Sequence, residues 1–335
     1  MARLLAIPGR TDSRIDRLMT LLASRPMLVI SGARIAREIG VTRYAVWRWV
    51  EKLRSTGVKV KGHTGAGYRI EEAPDVLVPG LLNPRLRGTI FHNNLYHFFK
   101  AGSTNDIALE LGHRGAPHGT VVIAEEQTAG RGRVGRSWHS EKASGIYVSV
   151  LLRPTLAPAA APMLTLVAGL AAAAAVEQQT GLAPDIRWPN DLLLGGRKFT
   201  GILTEMHAEP DRIQFVVIGL GMNANHERLP DDLASLATSL RIETGRPQSR
   251  LELLVRLLLE LERYYNRFMT EGPGVIVERF HKVSSFARGK RIRVETATET
   301  FTGTTEGLEP SGLLRVRRDD GGVETVVSGT VREAP

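Results

Sequence analysis

The residues best suited to chemistry lie between positions 127 and 138, where the sequence reads QTAGRGRVGRSW. Residues 130–136 alone contain three glycines and three arginines. Glycine lets a backbone approach a ligand closely, and the planar guanidinium group of arginine matches the oxygens of a carboxylate or a phosphate. Neighbouring cations repel one another, and glycines are costly to order. We therefore expect a loop that is mobile when empty and closes over an anionic ligand.

Other interpretations of this loop are weaker. Gly130, Gly132 and Gly135 have the spacing of a dinucleotide-binding fingerprint, but that motif needs a helix after its last glycine. Here the alternating apolar pattern of a strand, residues 146–151, follows instead. The sequence has no Gly-x4-Gly-Lys-Ser/Thr phosphate-binding motif. A plain basic surface loop is the remaining alternative, although packing alone does not explain so many arginines among glycines.

Further polar residues occur where strand and helix patterns begin or end. The sequence Ser-Thr-Asn at 103–105 opens a helical pattern, which by itself indicates an ordinary helix cap. Asp191 precedes a Gly-Gly turn that it could simply cap, and Lys198 enters the strand beyond that turn. Asn223 follows a Gly-x-Gly sequence, which predicts a tight turn at the end of a strand.

Four blocks together resemble the motifs of the biotin protein ligase family. Residues 130–138 are similar to the family's GRGRxGRxW signature. Ser-Thr-Asn at 103–105, RWPND at 187–191 and RKFTGI at 197–202 resemble three other family blocks. The N-terminal region is similar to the DNA-binding module of the bifunctional members, which are both biotin ligases and repressors of the biotin operon. The resemblance covers nearly the whole chain.

The resemblance implies two sets of substrate-binding residues. For biotin, they are Ser103, Thr104, Asn105, Gln127, Arg131, Gly132, Arg133, Trp138, Lys198 and Gly201. For ATP and the adenylate, they are Arg131, Arg133, Arg136, Lys198 and Asn223. Hydroxyl and amide groups suit the ureido ring of biotin, which has two N–H donors and one C=O acceptor. A loop at 224–240 corresponds to one that folds over the adenylate in relatives.

The resemblance also implies a reaction and its catalytic residues. Such enzymes use ATP to make biotinyl-5′-AMP and then transfer biotin to a lysine of a biotin carboxyl carrier protein. The first step brings a carboxylate to a phosphate, so fixed cations are needed between two anions. Lys198 and Arg133 correspond to these cations, and Asp191 corresponds to the carboxylate that orients or deprotonates the acceptor lysine. Arg187 stands where a lysine is usual in the family.

The implied cofactors are biotin and ATP as substrates, together with Mg²⁺, and no protein-bound metal site is predicted. Two other functions remain open. One is a ligand-sensing transcription regulator without catalysis, and the other is a lipoate or octanoate ligase of the same superfamily. The complete glycine–arginine loop and Ser-Thr-Asn at 103–105 favour biotin over lipoate. Lys198 together with Arg133 favours a catalyst over a sensor.

Residues 1–73 have the pattern of a winged helix-turn-helix. Helical periodicities begin near positions 14, 31 and 42, and two alternating segments then flank a glycine-rich turn. Residues 1–80 contain 14 Lys and Arg against 7 Asp and Glu, whereas the rest of the chain is nearly balanced at 30 against 28. A basic module on a nearly neutral body indicates nucleic-acid binding. A protein-docking winged helix is the alternative.

The third helix, predicted to run as far as Thr56, and the hairpin after it are expected to contact DNA. The expected contacts are Arg43, Tyr44 and Arg48 in the major groove and Lys59, Lys61 and Arg69 at phosphates. Trp47 is more compatible with packing partly against neighbouring helices than with contacting DNA. The resemblance implies operator DNA as a partner and a homodimer when the adenylate is bound, with two recognition helices about 34 Å apart.

The remaining patterns predict an α/β (α+β) chain. After a proline-rich linker at 74–84, residues 85–283 alternate between strand and helix patterns and predict a catalytic domain with a mixed sheet. Residues 284–335 contain short alternating strands separated by Gly, Asp and Pro, which is typical of a small barrel. The resemblance implies a biotin/lipoate ligase-like central domain and an SH3-like C-terminal domain.

Composition limits the setting in which the chain works. It has 335 residues and no cysteine, which excludes disulfides, thiolate metal sites and a cysteine nucleophile and fits a reducing cytoplasm. The longest apolar run, residues 164–176, is too short to span a bilayer, and the N-terminus lacks the apolar core of a signal peptide. We therefore expect a cytoplasmic protein without a membrane partner.

Overall fold

The N-terminal part of the chain is a winged helix-turn-helix, as predicted. The computed structural model describes residues 6–23, 25, 28–55, 57–71 and 75–334. The N-terminal elements are α1 Ser13–Ala23, α2 Gly32–Ile39, α3 Arg43–Arg54, β1 Val60–His63 and β2 Gly67–Ile70. The sequence predicts a third helix as far as Thr56, whereas α3 ends at Arg54 and Thr56 lies outside the described residues.

Capping side chains fix the turn between α2 and α3. Ser31 accepts a hydrogen bond from the backbone N–H of Arg34, and Thr42 accepts one from the N–H of Ala45. Gly40 ends α2 with a φ of 77°, in the left-handed region that favours glycine. The apolar faces of α1, α2 and α3 pack with the hairpin in one core, which leaves the opposite face of α3 outward.

The segment after the hairpin is packed rather than exposed. Residues 76–78 are fully buried, and a short helix, α4 Pro79–Leu82, follows them. The apolar side chains of this segment join the cores on either side of it. The predicted linker therefore forms part of both cores where it is described, and its Pro74 lies outside the described residues.

The central domain is built on a mixed sheet. Its strands are β3 Leu95–Phe98, β4 Thr120–Ala124, β5 Gly145–Leu152, β6 Asp185–Arg187, β7 Asp191–Leu194, β8 Arg197–Ala208 and β9 Ile213–Asn223. Its helices are α5 Thr104–His113, α6 Ala161–Thr180, α7 Leu240–Thr244, α8 Arg250–Glu271 and α9 Pro273–Val283. The strands lie in the order β3-β4-β5-β9-β8-β7-β6. Only the β3–β4 pair is parallel within residues 75–334, all of which are described.

The alanine-rich helix α6 is the main core helix of this domain and packs against α8, α9 and β8. Among the described residues, one segment, Pro158–Thr180, is long and apolar enough to cross a membrane by length and composition alone. This segment is longer than the apolar run at 164–176, which by itself is too short to span a bilayer. However, 72% of its most apolar window is buried inside the protein, as expected for a core helix.

The C-terminal part is a small antiparallel β domain. Its strands are β10 Arg288–Glu295, β11 Thr300–Leu308, β12 Leu314–Arg318, β13 Val323–Val326 and β14 Thr330–Glu333. They lie in the order β13-β12-β11-β10-β14. Its apolar side chains share a core with the central domain, and the Trp188 indole N–H donates to the carbonyl of Gly312 at 2.9 Å. The predicted order of winged helix-turn-helix, mixed sheet and β domain is therefore confirmed.

Candidate active site

A cavity of about 450 Å³, counting its open mouth, lies between the start of α5, the glycine–arginine loop at 130–138, and strands β8 and β9. Its lining includes every residue predicted to bind biotin, namely Ser103, Thr104, Asn105, Gln127, Arg131, Gly132, Arg133, Trp138, Lys198 and Gly201. The other lining residues are Asn190, Ile202, Leu203, Gly219, Leu220 and Gly221. The structure thus brings the predicted residues together, and their roles stay a prediction.

Hydrogen bonds fix the polar floor of this small cavity. Asn105 Nδ2 donates to Glu205 Oε2 at 2.8 Å, and Asn105 Oδ1 accepts from the hydroxyl of Ser149 at 2.6 Å. Gln127 Oε1 accepts from the backbone N–H of Thr104 at 2.8 Å. These contacts hold the amide and hydroxyl groups in one orientation before a ligand arrives.

Glycines in β9 leave room for two side chains that border the small cavity. A Cβ atom on Gly219 would lie 1.9 Å from Asn105 Oδ1, and one on Gly221 would lie 2.4 Å from the Trp138 ring. The sequence predicts a turn at this Gly-x-Gly, but both glycines lie within a strand that continues to Asn223. The predicted turn is therefore wrong. Gly219 and Gly221 are alternate residues of β9 and therefore face the same side of the sheet, where Asn105 and Trp138 occupy the space that their side chains would need.

Two cations enclose the carboxylate of Asp191. Lys198 Nζ lies 2.6 Å from Asp191 Oδ1, and Arg187 Nη2 donates to Asp191 Oδ2 at 2.8 Å. Burial would raise the pKa of Asp191, but Lys198 and Arg187 outweigh this effect and hold the pKa below its usual value. The carboxylate is therefore ionised near neutral pH and is a weak base.

A larger cavity of about 1680 Å³, counting its open mouth, adjoins the small one. The two cavities share Gly132, Arg133, Trp138, Asn190 and Lys198. Residues from the segment 229–237 and from 329–332 form further parts of the wall of the larger cavity. The central domain and the C-terminal domain therefore both contribute to it, and the sequence gives no indication of the C-terminal residues.

Arg133 connects the glycine–arginine loop to the C-terminal domain. Its Nη1 donates to Asn190 Oδ1 at 2.9 Å and to the carbonyl of Gly329 at 3.4 Å, and its Nη2 lies 3.4 Å from the hydroxyl of Ser328. Burial lowers the pKa of Arg133, and Asp191 partly offsets this. Within the described part of the chain, Arg133 forms no ion pair, so its charge is available to an anionic ligand.

The other residues predicted to bind the adenylate separate between the two cavities. Arg136 and Asn223 line the larger cavity, as Arg133 and Lys198 do. Arg131 lines only the small cavity of the two, and its Nη2 donates to Asp106 Oδ1 at 2.6 Å and to Glu205 Oε2 at 2.8 Å. Arg131 is therefore already neutralised by carboxylates, unlike Arg133.

The predicted DNA contacts lie on the surface of the N-terminal domain. The exposed residues are Arg43, Tyr44 and Arg48 on α3 and Lys59 and Lys61 near and on the hairpin. Arg69 is less exposed and lies 3.6 Å from Glu71. Trp47 is 47% exposed, and its ring centre lies 5.6 Å from that of Tyr44. About half of the Trp47 side chain is therefore covered, and the rest lies beside Tyr44 on an outward aromatic surface. The expectation that Trp47 packs partly against neighbouring helices stays a prediction.

Two residues of the site belong to none of the four motif blocks, namely Ser149 and Glu205, which both hold Asn105. A polar residue in the otherwise apolar strand β5 is a weak signal that could have marked Ser149. Glu205 is placed by strand pairing, which the local sequence does not display. Asn190, which holds Arg133, lies within the 187–191 block but is not among the residues predicted to bind a substrate.

Comparisons with known proteins agree with this architecture. Family models match residues 14–69 as an HTH domain, 100–223 as the biotin/lipoate A/B protein ligase family and 288–331 as the biotin protein ligase C terminal domain. The bifunctional ligase/repressor BirA of Bacillus subtilis (strain 168) is 37% identical over 294 residues, which cover 87% of this chain and 90% of that protein. BirA of Bacillus spizizenii is 36% identical over 314 residues, covering 93% and 96%.

A solved structure shows the same relationship. The biotin protein ligase from Aquifex aeolicus in complex with biotin and ATP is 26% identical and superimposes with a TM-score of 0.63. The match covers 72% of this chain and 100% of that one.

The fold and the paired cavities define a ligase domain attached to a helix-turn-helix. The chain belongs to the biotin protein ligase family. It has the domain order expected of the bifunctional members, so the resemblance stated from the motifs is confirmed.

Proposed function

We propose that this chain is an ATP-dependent biotin protein ligase that also binds operator DNA as a biotin-responsive repressor. The observation that carries the ligase activity is the junction of the two cavities, because Lys198 and Arg133 line both. A carboxylate in the small cavity would meet an α-phosphate in the larger one at these two cations. Positive charge at that point is what the attack of one anion on another requires.

The first reaction makes a mixed anhydride. A carboxylate oxygen of biotin attacks the α-phosphorus of ATP, the bond to the bridging oxygen of the β-phosphate breaks, and pyrophosphate leaves. Lys198 exchanges its contact with Asp191 for the reacting oxygens, and Arg133 holds the phosphate. Because both substrates are held side by side, the step also avoids the entropic penalty of a bimolecular encounter.

The second reaction transfers the biotinyl group to a biotin carboxyl carrier protein. The neutral amine of a carrier lysine attacks the acyl carbon, the bond to the phosphate oxygen breaks, and AMP leaves while the nitrogen releases one proton to solvent water. Without ligands, Lys198 and Arg187 hold the pKa of Asp191 low. Arg187 stays against Asp191 when Lys198 turns to the reacting oxygens, so we assign this carboxylate to orienting the amine rather than to taking its proton.

The proposed Mg²⁺ enters with ATP. In the described part of the chain, Asp191 is the one acidic residue that lines the larger cavity, and both of its oxygens are already paired. Mg²⁺ binds through one or two carboxylates together with substrate phosphates, so this lining fits an ion held mainly by ATP. The ion would neutralise part of the phosphate charge.

A stepwise assay tests the ligase activity. The purified chain, given Mg²⁺, ATP and biotin, should release pyrophosphate and retain biotinyl-5′-AMP, and added carrier protein should then be labelled on lysine. Binding of biotin and ATP without pyrophosphate release would instead indicate a sensor. In a competition with all acids at equal concentration, transfer of more lipoate or octanoate than biotin would indicate a related ligase.

The fit around Asn105 gives a prediction for biotin affinity. Gly219→Ala should weaken biotin binding at least about tenfold, or about 1.4 kcal/mol, because the new methyl group displaces the Asn105 side chain. Isothermal titration calorimetry measures this. The control Gly274→Ala adds a Cβ that meets nothing within 4 Å and should leave affinity unchanged. Equal affinity in wild type and Gly219→Ala would contradict the proposed position of biotin.

The free charge of Arg133 gives a prediction for retention of the intermediate. Arg133→Gly should release biotinyl-5′-AMP about 100-fold faster, because a charged hydrogen-bond donor to the phosphate is lost. The unfolding temperature should change far less, and Arg246→Gly, an exposed loop arginine, serves as the control. Stopped-flow dissociation of the adenylate measures the effect, and an unchanged rate in Arg133→Gly would defeat the assignment.

DNA binding and dimerisation are proposed together. The exposed basic and aromatic face of α3 supports major-groove binding, and a symmetric dimer with helices about 34 Å apart would read two half-sites. Adenylate binding favours the dimer in this proposal. Footprinting of the gene's own genomic neighbourhood, with and without biotin and ATP, tests the response, and sedimentation measures the dimer. Protection that does not depend on either ligand would contradict regulation by the adenylate.

Two substitutions separate the two kinds of DNA contact. Arg48→Ala should weaken operator binding by about 1–3 kcal/mol and relax sequence preference, whereas Lys61→Ala should weaken binding to all sequences and lower the salt slope by about 1. Fluorescence anisotropy at several salt concentrations measures both. Lys282→Ala on α9 is the control for loss of a surface charge. An unchanged slope in Lys61→Ala would remove the hairpin from the interface.

A further inference from the structure

A cluster of possible metal ligands borders the larger cavity, apart from the residues assigned above. His139 and Glu141 follow the glycine–arginine loop, and His226 follows β9. One ligand atom from each of these residues lies within 4.8 Å of the other two. His139 also lines the larger cavity. The cluster therefore joins the segment after the glycine–arginine loop to the segment after β9, and it lies beside the larger cavity, where we propose that the nucleotide binds.

The hydrogen bonds around His226 leave one of its ring nitrogens without a partner. His226 is only 1% exposed, and its Nδ1 has no hydrogen bond to any described residue. The hydroxyl of Tyr147 already donates to the carbonyl of Glu141 at 2.8 Å. In the 3.5 Å contact between Tyr147 and His226 Nε2, the ring must therefore be the donor. This tautomer places a buried lone pair on Nδ1, which is unfavourable unless something binds it.

The charges around His226 are compatible with a cation. A metal ligand needs a free lone pair, and the hydrogen bond at Nε2 leaves one on Nδ1 of His226. Arg250 is a positively charged group close enough to act on His226. The charge of Arg250 is balanced by ion pairs with Glu125 and Asp75 at 2.8 and 2.9 Å. Glu141 supplies the negative charge at the site.

We propose that His139, Glu141 and His226 bind a divalent transition-metal ion, for which zinc is the best fit. Two imidazoles and a carboxylate are zinc ligands, with the fourth position left for water, whereas Mg²⁺ prefers oxygen alone. Zinc bonds of about 2.0–2.2 Å place tetrahedral ligands roughly 3.3 Å apart, so the three atoms must approach one another by up to about 1.5 Å. His139 and Glu141 are exposed and can rotate to do so. Tyr147 is the outer hydrogen-bond partner that orients His226.

The ion links the end of the glycine–arginine loop to the segment after β9. These segments already meet through the backbone N–H of Asn225, which donates to the carbonyl of Ser144 at 2.6 Å. The segment beyond His226 continues into residues 229–237, which line the larger cavity. An ion that binds only the folded chain raises its stability. Zinc should therefore raise the unfolding temperature and hold two walls of the larger cavity together.

Metal titration of the full-length chain tests the site. After dialysis against a chelator, the chain is titrated with zinc in competition with a chromogenic chelator, and with cobalt(II), whose visible absorption reports tetrahedral coordination. We expect one ion per chain, the tetrahedral cobalt spectrum and a higher unfolding temperature. His139→Asn and Glu141→Gln, both at exposed positions, should each weaken zinc binding at least about tenfold, as removal of a direct ligand implies. His226→Asn should have the same effect if it folds.

The control removes a histidine from another ring pair. His207→Asn changes an exposed histidine whose ring centre lies 4.7 Å from that of His113, and it should leave the zinc affinity unchanged. Three results would overturn the site: no zinc binding at micromolar concentration, binding that His139→Asn and Glu141→Gln do not weaken, or binding that His207→Asn abolishes. The test does not depend on ligase activity, so it is independent of the proposed function.

Discussion

Lys198→Met is expected to slow the formation of biotinyl-5′-AMP by about 10²–10³-fold, as removal of one preorganised electrostatic group at a reacting centre does. Lys198 Nζ is placed at the junction of the two cavities and is held 2.6 Å from Asp191. Methionine has a similar length but carries no charge. The variant would therefore lose the cation between the two substrates and leave a carboxylate facing them. Single-turnover release of pyrophosphate at saturating biotin and ATP measures this rate.

The control for Lys198 is Lys282→Met. Lys282 lies on α9 with its side chain 61% exposed and pairs with Glu278 one helical turn away. Its loss should leave both the rate and the unfolding temperature nearly unchanged. If Lys198→Met forms the adenylate at the wild-type rate while remaining folded, Lys198 is not the cation of the first step. In that case Arg133 would have to supply the charge alone.

Arg250→Met is expected to lower the free energy of unfolding by about 3–5 kcal/mol at neutral pH, because it leaves a buried charge without its partner. Arg250 is 1% exposed, and its Nη1 donates to Glu125 Oε2 at 2.8 Å while its Nε donates to Asp75 Oδ2 at 2.9 Å. His97 Nε2 lies 3.3 Å from the other oxygen of Glu125. Chemical denaturation followed by circular dichroism measures the loss.

The pH dependence of this variant should differ from that of the wild type. Burial alone would raise the pKa of Glu125, but Arg250, with help from His97 and the N–H of Leu77, lowers it from 4.5 to about 2. In the wild type, ionised Glu125 therefore contributes stability above about pH 4.5 that is lost as the pH falls towards 2. Without Arg250, burial raises the pKa, and the deficit of Arg250→Met should shrink as the pH is lowered.

Two companion variants make the comparison specific. Arg263→Met removes an exposed arginine from the same helix, where it pairs with Glu260, and should change the stability by about 0.5 kcal/mol or less. Adding Glu125→Gln to Arg250→Met removes the stranded charge and should recover part of the loss. If Arg250→Met and Arg263→Met are equally stable, the buried network is not a major source of stability.

The parts of the site that the sequence predicts are those confined to short motifs. Arg133 and Lys198 belong to blocks whose residue types already suggest anion binding, and the structure places both at the cavity junction. Ser149 and Glu205 are different, because they reach Asn105 only through the pairing of β5, β9 and β8. No local pattern encodes that register.

Local patterns also gave wrong predictions where one residue type is compatible with two kinds of structure. Gly219 and Gly221 fit a turn by composition, yet in β9 their missing side chains make room for Asn105 and Trp138. The predicted linker illustrates the same limit. Its prolines suggest an exposed segment, but residues 76–78 are apolar and become buried when both neighbouring cores are formed. In each case the packing partner lies far away in the sequence.

The contribution of residues 329–332 to the larger cavity has a consequence for how the chain matures. Synthesis proceeds from the N-terminus, so β14 leaves the ribosome long after the motifs at 103–138. A nascent chain that has already produced every signature residue still lacks the partners of Arg133 at Ser328 and Gly329. The wall of the larger cavity is therefore complete only after β14 has paired with β10.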